Sequence, residues 1–137
     1  MKIRLAIGRF KAPVWSLIAG LLMLLGCSED TKMNVQEVWA VIESPALVID
    51  VRTAEEVQAG ALIGAFHVPY EDILRGVDAL GATQDTPIVV YCRSGNRSGI
   101  AQSMLQQAGY SAVVNGGAYD DLAPMQSDMP VNQHWAP

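Results

Sequence analysis

Ile88-Val89-Val90-Tyr91-Cys92-Arg93-Ser94-Gly95-Asn96-Arg97-Ser98 is the stretch on which the reading of this 137-residue chain turns. It begins as a run of β-branched and aromatic residues, the pattern of a strand covered on both faces. It then breaks into a short polar loop containing Gly95. A helical pattern follows, with Ile100, Ala101, Met104, Leu105 and Ala108 on one face and Gly109 as its stop. Strand, loop and helix in that order place Cys92 at the carboxyl end of a strand, where α/β sheets hold their ligands. The backbone N–H groups of the loop and of the first helical turn form an anion cradle. The same field favours a thiolate over a thiol, and the thiolate is the reactive form.

Working outward, residues 46–51 (ALVIDV) form a second short apolar run, again of the doubly buried type. Before it, Asn34 with Glu37 reads as a capping box, and Val35, Val38, Trp39 and Ile42 share one helical face until Pro45. After it, Thr53 with Glu56 opens a second, shorter helix that ends near Gly60. Residues 65–68 make a weak strand closed by Pro69, and residues 70–80 a helix around Ile73, Leu74 and Val77. Residues 112–114 are the last strand, Gly116-Gly117 a sharp turn, and the chain from Pro124 a loosely packed tail rich in Pro, Asn and Gln. Strands alternating with helices predict an α/β domain with a mainly parallel central sheet flanked by helices on both faces. The expected organisation is residues 1–26 as an export signal, 27–33 as a tether, 34–123 as the domain and 124–137 as a tail.

Charge narrows the function. The net charge is -5, but residues 1–26 carry Lys2, Arg4, Arg9 and Lys11 and no acid. The other 111 residues hold five bases against fourteen acids, a net charge of -9. A body that acidic argues against nucleic-acid binding, which needs clustered Lys and Arg. Two cysteines cannot staple a loop-rich fold, and no Cys/His cluster has metal-ligand spacing, so neither a disulfide scaffold, a metal nor another cofactor is expected. Arg93 and Arg97 supply two of the five positive charges of the body, and both flank Cys92. His67 and His134 fall outside that focus and form no His–Cys pattern.

Residues 14–26 contain no charge. Thirteen apolar residues reach about 20 Å as a helix, short of the roughly 30 Å hydrocarbon core, so with the basic start they read as an export signal. Leu24-Leu25-Gly26-Cys27 resembles a bacterial lipobox, which implies cutting before Cys27 and lipidation there. A lipidated Cys27 has no thiol to pair with Cys92. The expectation is an exported, periplasm-facing protein held to the membrane by lipid. By resemblance to lipoprotein sorting, in which an Asp after the lipidated cysteine typically marks inner-membrane retention, Ser28 mildly favours the outer membrane, and a soluble periplasmic form is the alternative.

Taken in order, several blocks resemble the rhodanese family of sulfurtransferases. Cys92-Arg93-Ser94-Gly95-Asn96-Arg97-Ser98 is similar to its active-site loop, Cys-x-x-Gly-x-Arg-Ser/Thr. Val48-Ile49-Asp50-Val51-Arg52 resembles its strand ending in Asp-x-Arg, and residues 60–69 resemble its Gly-His-Ile-x-Gly-Ala-x-x-Ile-Pro block. Gly116-Gly117 sits where the family turns after its last strand. Ala61 replaces the usual His, and Tyr119 is the nearest aromatic where a Trp is usual. The resemblance implies a single-domain sulfurtransferase that uses Cys92 as nucleophile and carries sulfur as a persulfide. Residues 93–97 would bind the donor: Arg93 and Arg97 by charge, and Ser94, Gly95 and Asn96 by their amides. Asp50 and Arg52 would brace the strand end. The implied partners are a small anionic donor such as thiosulfate and a thiol or cyanide acceptor, with a monomer expected. A membrane-anchored persulfide carrier with little turnover is the alternative. A phosphatase or arsenate reductase is disfavoured, because four residues separate Cys92 from Arg97 where related phosphatases have five. A phosphatase would also need an acid, for which Asp85, Asp120 and Asp121 qualify only by abundance.

Overall fold

The computed structural model describes residues 32–136, and the export and lipidation assignments, Cys27 included, lie outside them. The chain forms α1 (Val35–Ile42), β1 (Leu47–Asp50), α2 (Ala54–Gln58), β2 (Phe66–His67), α3 (Ile73–Ala79), β3 (Ile88–Cys92), α4 (Asn96–Gln107), β4 (Val113–Ala118) and α5 (Tyr119–Leu122). A 3-10 turn, Tyr70–Asp72, leads into α3, and another, Ala123–Met125, follows α5. Both capping boxes are formed. The Asn34 side chain accepts from the Glu37 N–H and Thr53 from the Glu56 N–H, and each glutamate accepts from its partner's N–H in return.

The strands lie in the order β2-β1-β3-β4, every neighbouring pair parallel. Alternation of side chains across the pleat sorts the core into two layers. Leu47, Ile49 and Val51 with Ile88, Val90 and Cys92 face Ile73 and Val77 of α3 and Ala101 and Leu105 of α4. Val48, Val89 and Tyr91 face Val38, Trp39 and Ile42 of α1 and Leu122 of α5. The Trp39 indole N–H donates to the Leu122 carbonyl at 3.2 Å, which ties α1 to α5. Each buried Val, Leu or Ile here contributes about 1.5–3 kcal/mol over exposure. The parallel α/β sheet covered on both faces therefore stands as predicted.

Three expectations change. The glycine pair is not a turn: β4 continues through it, and Gly116 is an extra residue in the ladder, since Val90 pairs with Asn115 but Tyr91 with Gly117. A Cβ on Gly116 would lie 3.1 Å from Val89 Cγ1 and 3.3 Å from the Val90 carbonyl oxygen, so any side chain there would crowd β3. The second change concerns α4, whose buried face is Ser98, Ala101 and Leu105, leaving Ile100 and Ala108 exposed. The third is the tail, which is docked. Val131 is 7% exposed within the α1 layer, and Trp135 packs on the opposite layer. The Asn132 carboxamide accepts from the Val48 N–H at 2.8 Å and donates to the Val48 carbonyl at 2.9 Å. β2 is only two residues long, and Asn132 pairs the part of β1 that β2 does not reach.

Candidate active site

β3 ends at Cys92, and α4 starts four residues later. The reversal needs Gly95, which sits at φ 89°, ψ -7°, a left-handed conformation that a Cβ disfavours. Pleat alternation turns the Cys92 side chain toward the face that α4 covers, so its sulfur points into the start of that helix. The sulfur is fully buried, accepts from the Gly95 N–H at 3.0 Å and lies 3.3 Å from the Ser98 hydroxyl. Burial pushes the thiol up. Hydrogen bonds from the Ser98 hydroxyl and from the backbone N–H groups of Ser98, Ser94 and Gly95 outweigh it and hold the thiol below its ordinary value. A buried sulfur with amide donors gathered on it stabilises charge there.

The loop side chains divide. Arg93, Ser94 and Asn96 are exposed, and among the described residues Arg93 makes no ion pair. The sequence casts Arg97 with Arg93 as a cation for the donor. In the structure its two terminal nitrogens donate to the Glu56 carboxylate at 2.7 and 2.8 Å, so much of its charge is answered within the protein and it braces α4 against α2. The Arg97 hydrogen bonds hold the Glu56 carboxyl down at about 2. A cleft of about 270 Å³ beside the loop brings Arg93 together with Arg52, Glu56, Tyr119 and Asp120.

The end of β1 is closed. Arg52 Nε donates to Asp50 Oδ1 and Oδ2 at 2.9 and 3.1 Å, and its Nη2 donates to Oδ2 at 2.7 Å and to the Gly60 carbonyl at 2.6 Å. The Asp50 hydrogen bond keeps the guanidinium above its ordinary value despite burial. Its other face lies over the Tyr119 ring, 4.3 Å from the centroid, and Tyr119 stacks on Tyr91 at 6.3 Å. His67 bonds through Nε2 to the Arg52 carbonyl at 2.8 Å, away from the sulfur's own partners.

Two residues of this neighbourhood escape sequence reasoning. Glu56 reads as a helix cap only, and its second duty to Arg97 spans 41 positions. Asn115 is the other. It pairs with Val90 on the layer that holds Cys92 and joins Ser98 to the Gly95 carbonyl. A polar residue two positions after Val113 on a core-facing register is the one signal that could have raised it.

Compared with known proteins, residues 34–121 match the rhodanese-like domain. Thiosulfate sulfurtransferase PspE of Escherichia coli strain K12 is 32% identical over 75 residues, 55% of this chain and 72% of that protein. Thiosulfate sulfurtransferase GlpE of Tolumonas auensis is 28% identical over 93 residues, 66% of this chain and 86% of that one. A solved structure described as rhodanese with anions from E. coli aligns with a TM-score of 0.51 at 34% identity, over 56% of this chain and 89% of the other.

Proposed function

This chain belongs to the rhodanese-like family, and from that premise we propose that it moves a sulfane sulfur from thiosulfate or a similar donor to a thiol or cyanide through a persulfide on Cys92. Relatives named thiosulfate sulfurtransferase support sulfur transfer as the reaction type. The observation that carries the finer reading is the Cys92 sulfur itself, held by the Gly95 N–H at 3.0 Å in a loop with only four residues before Arg97. A loop that short gathers its amides on one sulfur atom rather than on a tetrahedral phosphate.

In the reaction, the Cys92 thiolate attacks the outer sulfur of the donor. The donor S–S bond breaks, and sulfite leaves with the electron pair. The persulfide sits among the amides of residues 93–97, which stabilise its charge as an oxyanion hole stabilises oxygen. An acceptor thiolate then attacks the outer sulfur, and Cys92 leaves as thiolate. Arg93 attracts the anionic donor to the mouth, and Arg97 keeps the loop in shape through Glu56. In the cell the domain faces the periplasm, held by lipid on Cys27.

The test is the mass of the full chain after exposure to thiosulfate. One added sulfur, mapped to the Cys92 peptide and removed by cyanide, is expected; no adduct on folded protein refutes the persulfide. Turnover with thiosulfate and cyanide separates an enzyme from a carrier, which takes up the sulfur without cycling. Location is tested by fractionation: detergent-dependent extraction with acylated Cys27 is expected, and release by osmotic shock with an unmodified or absent Cys27 refutes the anchor.

A further inference from the structure

Asn115 makes three hydrogen bonds around the Cys92 loop. Its Oδ1 accepts from the Ser98 hydroxyl at 2.7 Å and from the Gly117 N–H at 3.0 Å. Its Nδ2 donates to the Gly95 carbonyl at 3.0 Å, on the residue whose N–H holds the sulfur. Through Ser98, whose oxygen lies 3.3 Å from the sulfur, it reaches the nucleophile without touching it.

A serine hydroxyl has one proton, and here two acceptors compete for it. While Cys92 is a thiol, its S–H donates to Ser98 Oγ, and Ser98 donates to Asn115 Oδ1. Once Cys92 has lost its proton to solvent, the sulfur can only accept, and the Ser98 hydroxyl must turn to it. That turn removes one donor from Asn115 Oδ1. The loss is tolerable because the Gly117 N–H, presented by the glycine bulge of β4, still satisfies the oxygen, so no buried acceptor is orphaned. Nδ2 keeps its bond to Gly95 in both states, so the loop does not move with the proton.

We propose that Asn115 is a positioning residue for Cys92. It holds the Ser98 proton while Cys92 is a thiol and yields it to the sulfur when Cys92 becomes a thiolate. This rests on the reading of Cys92 as the nucleophile, but its test needs no sulfur donor. The charged and titratable groups around the loop are Arg93 within it, Arg97 of α4 with Glu56 of α2, Asp50 and Arg52 at the end of β1, and His67 of β2. Tyr70 packs on the layer that holds Cys92, and Asp120 lies beyond β4. None of them touches Asn115 or Ser98 by hydrogen bond among the described residues.

The experiment is the pH profile of iodoacetamide alkylation on the full chain, read by mass on the Cys92 peptide so that Cys27 does not contribute. Asn115→Asp replaces the carboxamide with a stronger acceptor that cannot donate to Gly95. The alkylation rate at neutral pH should fall about tenfold, with the profile moved toward alkali and the high-pH plateau kept. In a Ser98→Ala background, the same Asn115→Asp change should move the profile much less, because the shared proton is gone. An equal shift in both backgrounds means that the new charge acts through space, and no shift in either means that Asn115 does not bear on the sulfur; both overturn the proposal. If Asn115→Asp does not melt as a folded protein, Asn115→Leu serves in the same cycle. Its shift must differ between the two backgrounds, and equal shifts overturn the proposal. Loss of sulfur transfer with an intact alkylation cycle would instead count against the sulfurtransferase reading alone.

Discussion

β1 and β3 are neighbours in the sheet and end at the same edge, yet their ends do opposite things. At the end of β1, Asp50 and Arg52 are 1% and 5% exposed, and the guanidinium is occupied by one carboxylate, one carbonyl and an aromatic ring. Its charge is answered by Asp50 within the protein, although Arg52 also lines the cleft beside the loop. At the end of β3, amide donors point at a sulfur that takes part in no ion pair among the described residues. The pleat separates the two: Asp50 shares the α1 side with Val48, and Cys92 the α4 side with Val90. The difference teaches that the carboxyl edge of a parallel sheet is only a location. Chemistry arises where donors converge on a group that is left open, and stability where they are answered in full.

Four changes would break or sharpen this contrast. Cys92→Ser should lower sulfur transfer at least about a thousandfold, since a hydroxyl is a far poorer nucleophile toward sulfur. Its melting temperature should barely move, because a serine can use the same donors; retained turnover in the folded variant would place the chemistry elsewhere. Asp50→Ala leaves a buried guanidinium without its carboxylate and should cost about 3–5 kcal/mol in urea unfolding. Turnover per folded molecule should stay nearly unchanged, and a collapse in turnover at unchanged stability would make the β1 end part of the machinery.

Arg93→Ala should reduce kcat/KM for thiosulfate about three- to tenfold at low salt, and leave an uncharged sulfane donor nearly unaffected. Equal losses for both donors would remove the electrostatic role. The smallest effect concerns Glu56. Its carboxyl sits at about 2 against an ordinary 4.5, so the folded state favours the charged form. The stability from the Arg97 pair is present above 4.5 and lost as pH falls through that window toward 2. Both side chains are 25% exposed, so the loss is modest and shrinks in salt. Melting curves of the wild type should fall more steeply across the window than those of Glu56→Gln, and parallel curves would show that the pair contributes nothing.

Much of this was legible because local patterns carry it. Apolar runs of four to six residues announced the buried strands, and Asn34 with Glu37 and Thr53 with Glu56 marked two helix starts. Cys92 stood out as the cysteine in a Gly-containing loop after a strand. What failed depends on partners distant in sequence. Gly116-Gly117 has the composition of a turn, and only its pairing with Val90 and Tyr91 makes it a bulge. Ile100 has the right helical period but falls at the rim, since the face of α4 is set by where the sheet lies. Arg97 looks like a free cation until Glu56 is brought to it. The polar composition after Pro124 hid a docking residue, because an asparagine that satisfies a strand reads the same as one in water.

Asn132 has a consequence for handling and engineering the protein. By filling both bonding positions of Val48, it stops the uncovered start of β1 from recruiting an extended segment of another molecule. Clipping the chain after α5, or anchoring a bulky fusion close to residue 132, would uncover an aggregation-prone flank. The last dozen residues are therefore better treated as a guard against self-association than as a convenient place to cut.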